Sequence, residues 1–238
     1  MPDPIIPILI LNGRPASGKS EVIAYLNSLS TEERRNRYHL GMLNEIDDFP
    51  MLWTWFEEDA LLEKVLKRPR LHTDMDGYFI HKDLWNLLIE RINLEYTKLV
   101  RDNPSLHDEH TVLIEFSRGT EHGGYRDAYS HLSDTILQQA GILYIDVPYE
   151  ESLRKNRRRF NPDRPDSILE HGLPDDKLER LYKEVDWHEL QAQNPTHMQI
   201  REFAVPYVVF DNERDLTTNI GPEFEVQLEA CLDTLLEK

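Results

Sequence analysis

Apolar stretches without strict alternation recur along the chain, separated by segments with helical periodicity. Four are pronounced, at residues 5–11, 111–116, 141–147 and 205–210, and a weaker one covers residues 38–46. Continuous apolar stretches of this length are typical of strands that are buried on both faces of a parallel sheet. The pattern therefore predicts a mostly parallel sheet of five strands.

Helical periodicity fills the intervals between these strands. The predicted helices cover residues 19–28, 52–66, 82–100, 125–139, 150–159, 175–190 and 223–236. Regular alternation of strand and helix predicts an α/β fold with a doubly wound, mostly parallel, five-stranded sheet. The chain has 238 residues, enough for one substantial core. We therefore expect a single domain that spans residues 1–238.

Two excursions interrupt the alternation of strands and helices. Residues 49–106 insert extra helices, and residues 160–174 form a polar, proline-bearing segment within the region 150–190. In α/β enzymes such excursions lie over the carboxyl ends of the strands, where ligands bind. We expect the first to bind an acceptor molecule and the second to form a mobile lid.

A glycine motif, GRPASGKS, separates the first predicted strand from the first predicted helix. It matches the pattern G-x-x-x-x-G-K-[S/T] of a phosphate-binding loop, or P-loop. Glycines let the backbone fold closely around a phosphate, the lysine supplies a positive charge, and the serine hydroxyl is suited to Mg²⁺. The residues predicted to bind the nucleotide are Gly13, Arg14, Pro15, Ala16, Ser17, Gly18, Lys19 and Ser20.

Composition limits the partners of such a site. The chain has 27 basic and 44 acidic residues, a formal charge of −17. A surface this acidic repels polymeric nucleic acid and anionic membranes, and no apolar stretch approaches the length of a membrane span. The single cysteine, Cys231, excludes an internal disulfide and fits a reducing compartment. We expect a cytoplasmic protein that binds neither nucleic acid polymers nor membranes. The sequence leaves open whether it forms a homodimer.

The glycine motif alone allows a kinase, a GTPase switch or a mechanical ATPase. Residues 73–77, TDMDG, contain the D-x-x-G pattern of a GTPase switch, but the basic segment KRPRLH precedes them where a switch has a buried strand. The chain also lacks an N-K-x-D sequence for reading guanine. These features favour a kinase.

Three further segments resemble the nucleoside and nucleotide kinases. Asp47-x-Phe49 resembles the D-x-F of uridine-kinase-like enzymes, whose aspartate is the catalytic carboxylate. VLIEFSRG is similar to the E-R-S segment of deoxynucleoside kinases, although Phe116 replaces the arginine and Arg118 follows later. YIDVPYEESLRKNRRR is similar to their strand and arginine-rich lid helix. The resemblance covers the P-loop and residues 111–190, matches residues 52–106 loosely, and implies a P-loop kinase fold with ATP and Mg²⁺ as ligands.

Two carboxylates are the candidates for catalysis and for metal binding beside Ser20. Asp47 follows the second predicted strand and could accept the acceptor proton or hold Mg²⁺, or it could simply cap the next helix. Glu115 ends an apolar strand, where it could serve the same roles or be an ordinary strand-end charge. The sequence leaves open which of the two is the base.

Arginines on the predicted helix 150–159 are the candidates for contact with the transferred phosphate. Arg154, Arg157 and Arg158 share one helix face, and Arg164 is a weaker candidate in the following loop. Guanidinium groups stabilise spread negative charge, although such a run can also be a solvated surface. By resemblance, Asn212 or Arg214 after the last strand is expected to contact adenine, unless this segment is a plain turn.

The acceptor region offers weaker signals. Asp74 and Asp76 could bind the acceptor or a second Mg²⁺, and the aromatic residues at 53–56, 78–79 and 85 could stack a base or simply form core. The histidines have no metal-binding spacing. The sequence thus predicts an ATP-dependent transfer of phosphate to a small molecule, with a nucleoside or nucleotide favoured and a sugar or cofactor precursor open. The alternative is a regulatory ATP- or GTP-binding module without catalysis.

Overall fold

The computed structural model of the chain describes residues 4–159, 163 and 172–238. They form an α/β fold around a six-stranded sheet with the spatial order β2-β3-β1-β4-β6-β5, in which only β5 runs antiparallel to its neighbour. The strands in this part of the chain are β1 (Ile8–Gly13), β2 (Met42–Asp47), β3 (His110–Phe116), β4 (Ala140–Asp146), β5 (His197–Ile200) and β6 (Phe203–Asp211).

Helices connect the strands and cover both faces of the sheet. In the described ranges they are α1 (Lys19–Ser28), α2 (Thr31–Tyr38), α3 (Asp48–Lys64), α4 (Asp83–Asp102), α5 (Leu106–Glu109), α6 (Gly124–Ser130), α7 (Asp134–Leu137), α8 (Tyr149–Arg159), α9 (Asp175–Tyr182), α10 (Trp187–Gln191) and α11 (Pro222–Leu236). A 3₁₀ turn covers Thr120–His122. Among these helices, none has both the length and the apolar composition that crossing a bilayer requires.

The two faces of β1 explain why its sequence does not alternate. Ile8 and Ile10 belong to a core cluster with residues of α4 and α6, such as Ile92. Leu9 and Leu11 point to the other face and pack in a second cluster with α1 and α11. Because both faces are covered by helices, every residue of β1 is buried, and apolar side chains are favoured at successive positions.

The prediction of five strands is wrong, because the structure adds β5 at one edge of the sheet. This strand has four residues, HMQI, and pairs antiparallel with β6. Two long predicted helices are also each divided in two. Residues 125–139 form α6 and α7, and residues 175–190 form α9 and α10. The weak strand predicted at residues 38–46 begins only at Met42, because Tyr38 still belongs to α2 and His39 ends that helix in a left-handed conformation.

The carboxyl ends of the parallel strands meet at one edge of the sheet, and the predicted site residues lie there. Gly13 ends β1, Asp47 ends β2, and Glu115 is the penultimate residue of β3. The predicted insertion consists of α3 and α4, joined by residues 65–82. The expected lid loop, residues 160–174, falls mostly outside the described residues, as does Arg164.

Candidate active site

The loop between β1 and α1 is tightly packed at the two glycines of the GRPASGKS motif, Gly13 and Gly18. Both have positive φ angles, 153° and 114°, which glycine adopts far more readily than other residues. A Cβ atom at Gly13 would lie 2.7 Å from the carbonyl oxygen of Ile145, and one at Gly18 would lie 2.9 Å from Nδ2 of Asn212. The loop therefore requires glycine at both positions.

Asn212 supports this loop from behind. Its side chain is fully buried, and Nδ2 donates to the carbonyl oxygen of Ser17 at 2.7 Å and to Oγ1 of Thr217 at 2.8 Å. It is not among the residues that line the cavity beside the loop. The other residue expected near adenine, Arg214, is exposed and pairs with Glu223. The structure thus gives Asn212 a supporting position behind the loop.

Arg14 is also turned away from the cavity. Its guanidinium donates to the carbonyl oxygens of Val147 at 2.9 Å, Tyr182 at 3.2 Å and Lys183 at 3.2 Å. Three carbonyl partners satisfy most of the donors of a buried guanidinium. The side chain therefore ties the loop to the end of β4 and to the end of α9, and its charge is not directed into the cavity.

Lys19 lies at the center of the site and is 5% exposed. Its Nζ donates to the carbonyl oxygen of Arg14 at 3.0 Å and to Oγ of Ser117 at 2.8 Å, and it lies 3.8 Å from Oε1 of Glu115. Burial lowers the pKa of Lys19, and the nearby carboxylates oppose this shift. An ammonium group held mainly by neutral oxygens in a buried site is suited to binding an anion.

The first turn of α1 adds backbone donors to this charge. Gly18 precedes the helix and provides no side-chain cap. The first backbone N–H groups of a helix have no partner within the helix, and they carry a partial positive charge. In addition, Oγ of Ser17 is buried without a hydrogen-bond partner among the described residues. The backbone donors of this turn therefore suit an anion at the loop, whereas Ser17 is not among the residues that line the cavity.

Asp47 and Glu115 lie side by side at the carboxyl ends of β2 and β3, where they are register partners. Burial raises the pKa of Asp47 to about 8, and the charges of Glu115 and Asp48 add to this rise. Burial also raises the pKa of Glu115, against the attraction of Lys19. Oδ1 of Asp47 accepts from the backbone N–H of Phe49 at 2.9 Å, so Asp47 caps α3 as well as facing the site.

Asp48 has a different role from Asp47. Its side chain is buried, and Oδ2 accepts from a terminal nitrogen of Arg118 at 2.6 Å. Arg118 also donates to the carbonyl oxygens of Ser117 at 2.8 Å and of Trp85 at 3.1 Å. This buried ion pair joins the start of α3 to the segment after β3, and so it fixes the wall of the site.

One cavity of about 920 Å³ brings these groups together. It is lined by the β1–α1 loop, including Lys19 and Ser20, and by Asp47 and Glu115. The insertion supplies a large aromatic part of the wall, which consists of Phe49, Trp53, Phe56, Tyr78, Phe79 and Trp85. The cavity therefore combines charged groups that suit a phosphate with a large aromatic wall.

Helix α8 presents a different face to this cavity from the one expected. The cavity is lined by Lys155, Arg158 and Arg159, which share a face at positions i, i+3 and i+4. Arg154 and Arg157 lie outside the lining. Arg154 pairs with Glu151 and Asp215, and Arg157 pairs with Asp175. Of the three arginines predicted to act together, only Arg158 lines the cavity.

The connection between α3 and α4 places Asp76 in the cavity wall and directs Asp74 elsewhere. Oδ1 of Asp74 accepts from the backbone N–H groups of Asp76 at 3.0 Å and Tyr78 at 2.8 Å, which stabilises a turn. Sequence reasoning anticipated Trp85 in this wall but gave no role to His122, which lines it as well. A lone histidine has no recognisable spacing, so its position becomes evident only in the fold.

Candidate metal ligands follow from the same cavity. Ser20, Asp47 and Glu115 all line it, and hydroxyl and carboxylate oxygens are the ligand type that Mg²⁺ prefers. The part of the chain that the structure describes has no group of three or more His, Cys, Asp or Glu residues arranged to hold a metal. A magnesium ion bound together with a nucleotide needs only one or two protein carboxylates, so the residues present fit it.

Comparison with known proteins finds similarity to solved structures only. No protein-family model and no curated protein matches the chain. Similar structures include TT1252 from Thermus thermophilus, with 17% identity, a TM-score of 0.42 and coverage of 98% of this chain and 97% of that one. APE1195 has 14% identity, a TM-score of 0.42 and coverage of 98% of both chains.

A third similar structure is a sugar kinase from Janibacter sp. HTCC2649. It has 14% identity and a TM-score of 0.39, with coverage of 95% of this chain and 94% of that one. At TM-scores below 0.5 these likenesses assign neither a family nor an activity. The function is therefore argued from the residues of the site.

Proposed function

We propose that this protein is an ATP-dependent P-loop phosphotransferase that moves the γ-phosphoryl group of ATP to a small-molecule acceptor. The observation that carries the proposal is the shared cavity of about 920 Å³, which Lys19, Asp47 and Glu115 line together with six aromatic side chains of the insertion. A nucleotide-binding module without catalysis needs no space for a second ligand beside its carboxylates. A phosphotransferase needs such space for its acceptor.

The β1–α1 loop is the proposed binding site for the phosphates of ATP. The motif GRPASGKS, the positive φ angles of Gly13 and Gly18, and the uncapped start of α1 all suit a backbone that wraps around phosphate oxygens. Lys19 would exchange its contacts with loop carbonyls and Ser117 for the β- and γ-phosphates. Ser20 and Glu115 would hold Mg²⁺, which when bound would supply charge neutralisation for the phosphate oxygens.

The reaction needs a group that takes the proton of the acceptor hydroxyl. In the proposed step the hydroxyl oxygen attacks the γ-phosphorus, the bond from this phosphorus to the β–γ bridging oxygen breaks, and ADP leaves with the electron pair. Asp47 is our choice for the proton acceptor, because burial raises the pKa of its carboxyl group, and the ionised form is therefore a stronger base than an ordinary carboxylate. Phosphoryl transfer otherwise depends on positioning and on charge stabilisation.

The cationic face of α8 is suited to that charge stabilisation. Arg158 and Arg159 line the cavity beside Lys155, whose Nζ is fixed by Asp215 at 2.8 Å and Thr217 at 2.9 Å. Forked guanidinium groups match the oxygens of a transferred phosphoryl group. A nucleoside or nucleotide is the acceptor that we favour, since aromatic walls are suited to a planar base.

The experiment that tests the proposal is a measurement of ADP formation with and without possible acceptors. The panel contains nucleosides, nucleoside monophosphates and sugars, and the proteins are the wild type, Asp47→Asn and the control Lys98→Met. Lys98 is exposed and pairs with Glu95 on α4, away from the cavity lining. We expect at least one acceptor to stimulate ADP formation in the wild type and in Lys98→Met, and none in Asp47→Asn.

The contrary result is ATP binding without any response to an acceptor. That outcome would favour the regulatory nucleotide-binding module, and the proposed transfer would be abandoned. ADP formation that persists undiminished in Asp47→Asn would contradict the role of Asp47 alone.

A further inference from the structure

His122 is a buried histidine in the cavity wall to which the proposed reaction gives no role. It ends the 3₁₀ turn Thr120–His122 and is 5% exposed. Its ring stacks on the indole of Trp85, with centroids 3.7 Å apart and planes inclined by 20°. The ring of Tyr182 meets it edge-on at a centroid distance of 5.1 Å. Contacts on two sides fix the orientation of the imidazole.

The tautomer of this imidazole follows from its surroundings. The backbone N–H of Gly119 donates to Nδ1 at 3.5 Å, so the proton of the neutral ring is on Nε2. Burial lowers the pKa of His122 to about 3, and the positive charges of Arg118 and Lys82 contribute. The ring is therefore neutral, and its Nε2–H is a buried donor without a hydrogen-bond partner among the described residues.

A second unpartnered donor belongs to Arg118. The terminal nitrogens of this guanidinium are used by Asp48 and by backbone carbonyls, but Nε is buried and has no partner in the described part of the chain. The guanidinium carbon lies 5.2 Å from the ring centroid of Trp85. Both unpartnered donors therefore belong to side chains that lie against the same indole and line the same cavity.

Buried donors without a partner are rare, because proteins pair nearly all of them. Two of them beside one aromatic ring in a cavity wall indicate a ligand that supplies the oxygen atoms. Lys82 lines the same cavity and has no ion-pair partner among the residues that the structure describes. In a chain with a net charge of −17, this part of the wall combines two N–H donors with an unneutralised ammonium group.

We propose that His122 and Arg118, with Lys82 beside them, bind a carboxylate or phosphate group of the phosphoryl acceptor. The inference rests on the proposed function and narrows its acceptor to a compound that carries an anionic group. His122 acts here as a neutral donor through Nε2–H. Lys82 adds long-range attraction, and Arg118 contributes Nε–H while its other nitrogens keep the wall in place.

Matched pairs of compounds test this proposal by direct calorimetric binding with ADP and Mg²⁺ present. The pairs are ribose and ribose 5-phosphate, uridine and uridine 5′-monophosphate, and glycerol and glycerate. We expect the anionic member of at least one pair to bind about tenfold more tightly than its neutral partner, as charge-assisted hydrogen bonds should give.

Four variants identify the site of that binding. His122→Phe keeps the stack on Trp85 but removes the donor, and it should lower the affinity for the anionic compound about tenfold. His122→Gln keeps an N–H donor and should restore most of the affinity. Lys82→Met should lower the affinity for the anionic member of the pair only. Lys98→Met should leave the affinities for both members unchanged. Melting temperatures show whether each variant is folded.

Three results would overturn the inference. They are equal affinity for the two members of every pair, unchanged affinity in His122→Phe, and absence of binding by all six compounds. Binding that is lost in Lys19→Met but retained in His122→Phe would assign the anion to the β1–α1 loop and overturn it as well. ADP formation is scored separately. Binding that depends on His122 without ADP formation contradicts the proposed function and supports the anion site, but not its assignment to a phosphoryl acceptor.

Discussion

Asp47 and Glu115 are register partners at the carboxyl ends of two adjacent parallel strands, β2 and β3. Their carboxyl groups share a largely buried site with Lys19, whose Nζ is 3.8 Å from Glu115. One ammonium group cannot neutralise two buried carboxylates. Burial raises the pKa of Asp47 to about 8, and the negative charges of Glu115 and Asp48 add to this rise.

The raised pKa of Asp47 predicts an unusual dependence of stability on pH. The unfolded chain releases the Asp47 proton near pH 4, whereas the folded protein holds it to about pH 8. Between these values the folded state binds the additional proton, so this residue makes the free energy of unfolding fall as the pH rises, by up to about 1.4 kcal/mol per pH unit. Asp47→Asn removes this contribution and should be more stable than the wild type at pH 8.

Urea unfolding of both proteins at pH 5 and pH 8 measures the effect. Asp47→Asn should gain stability relative to the wild type on going from pH 5 to pH 8. An equal difference between the two proteins at both pH values would show that Asp47 has an ordinary pKa.

The two faces of α8 predict different effects of two neighbouring arginines. Arg158 lines the cavity and donates to Oγ1 of Thr218 at 2.9 Å, whereas Arg157 pairs with Asp175 outside the lining. Arg158→Ala should lower kcat roughly a hundredfold or more, because it removes a charge near the transferred phosphoryl group. Arg157→Ala removes an exposed charge and should change kcat far less. Equal losses of kcat in the two variants would contradict this choice of helix face.

Asn212 predicts a coupling between stability and nucleotide binding. Replacement by Ala leaves the carbonyl oxygen of Ser17 and the hydroxyl of Thr217 without this partner, at a cost of about 1–3 kcal/mol in the free energy of unfolding. ATP affinity should fall as well, because Gly18 packs against the same amide.

The matched control for Asn212→Ala is Asn27→Ala, because the Asn27 side chain is exposed and donates to Glu45 at 2.6 Å. It should change stability by no more than about 0.5 kcal/mol. Urea unfolding and calorimetry on the two variants are the measurements. If Asn212→Ala loses ATP affinity with no loss of stability, Asn212 contacts the nucleotide directly, as the sequence first suggested.

Much of the fold is predictable because parallel strands that are buried on both faces have continuous apolar sequences. The stretch at residues 111–116 differs from β3 by a single residue, and helix α1 has the predicted bounds. β5 escaped prediction because it is a four-residue edge strand with polar residues at its first and third positions. Such a strand owes its conformation to pairing with β6 and not to the intrinsic strand preference of its own residues.

The glycine motif specifies the backbone of the β1–α1 loop, so this part of the site is predictable from the sequence. Which side chains of α8 line the cavity depends on how the helix packs, and this is less predictable. The helical spacing places Arg154, Arg157 and Arg158 on one face, but only packing determines that the neighbouring face, with Lys155 and Arg159, lines the cavity. Asn212 follows a strand in a turn-like sequence, and its burial depends on Ser17 and Thr217. These long-range contacts leave no local pattern in the sequence.

The central claim is that Lys19 and the β1–α1 loop bind the phosphates of ATP. Isothermal calorimetry of ATP in the presence of Mg²⁺, with the wild type, Lys19→Met and Lys98→Met, tests it most directly. We predict saturable binding to the wild type and to Lys98→Met, and a loss of about thirtyfold to a hundredfold in Lys19→Met, the value of a charge-assisted contact. No binding of ATP by the wild type, or equal affinity in Lys19→Met, would contradict the account.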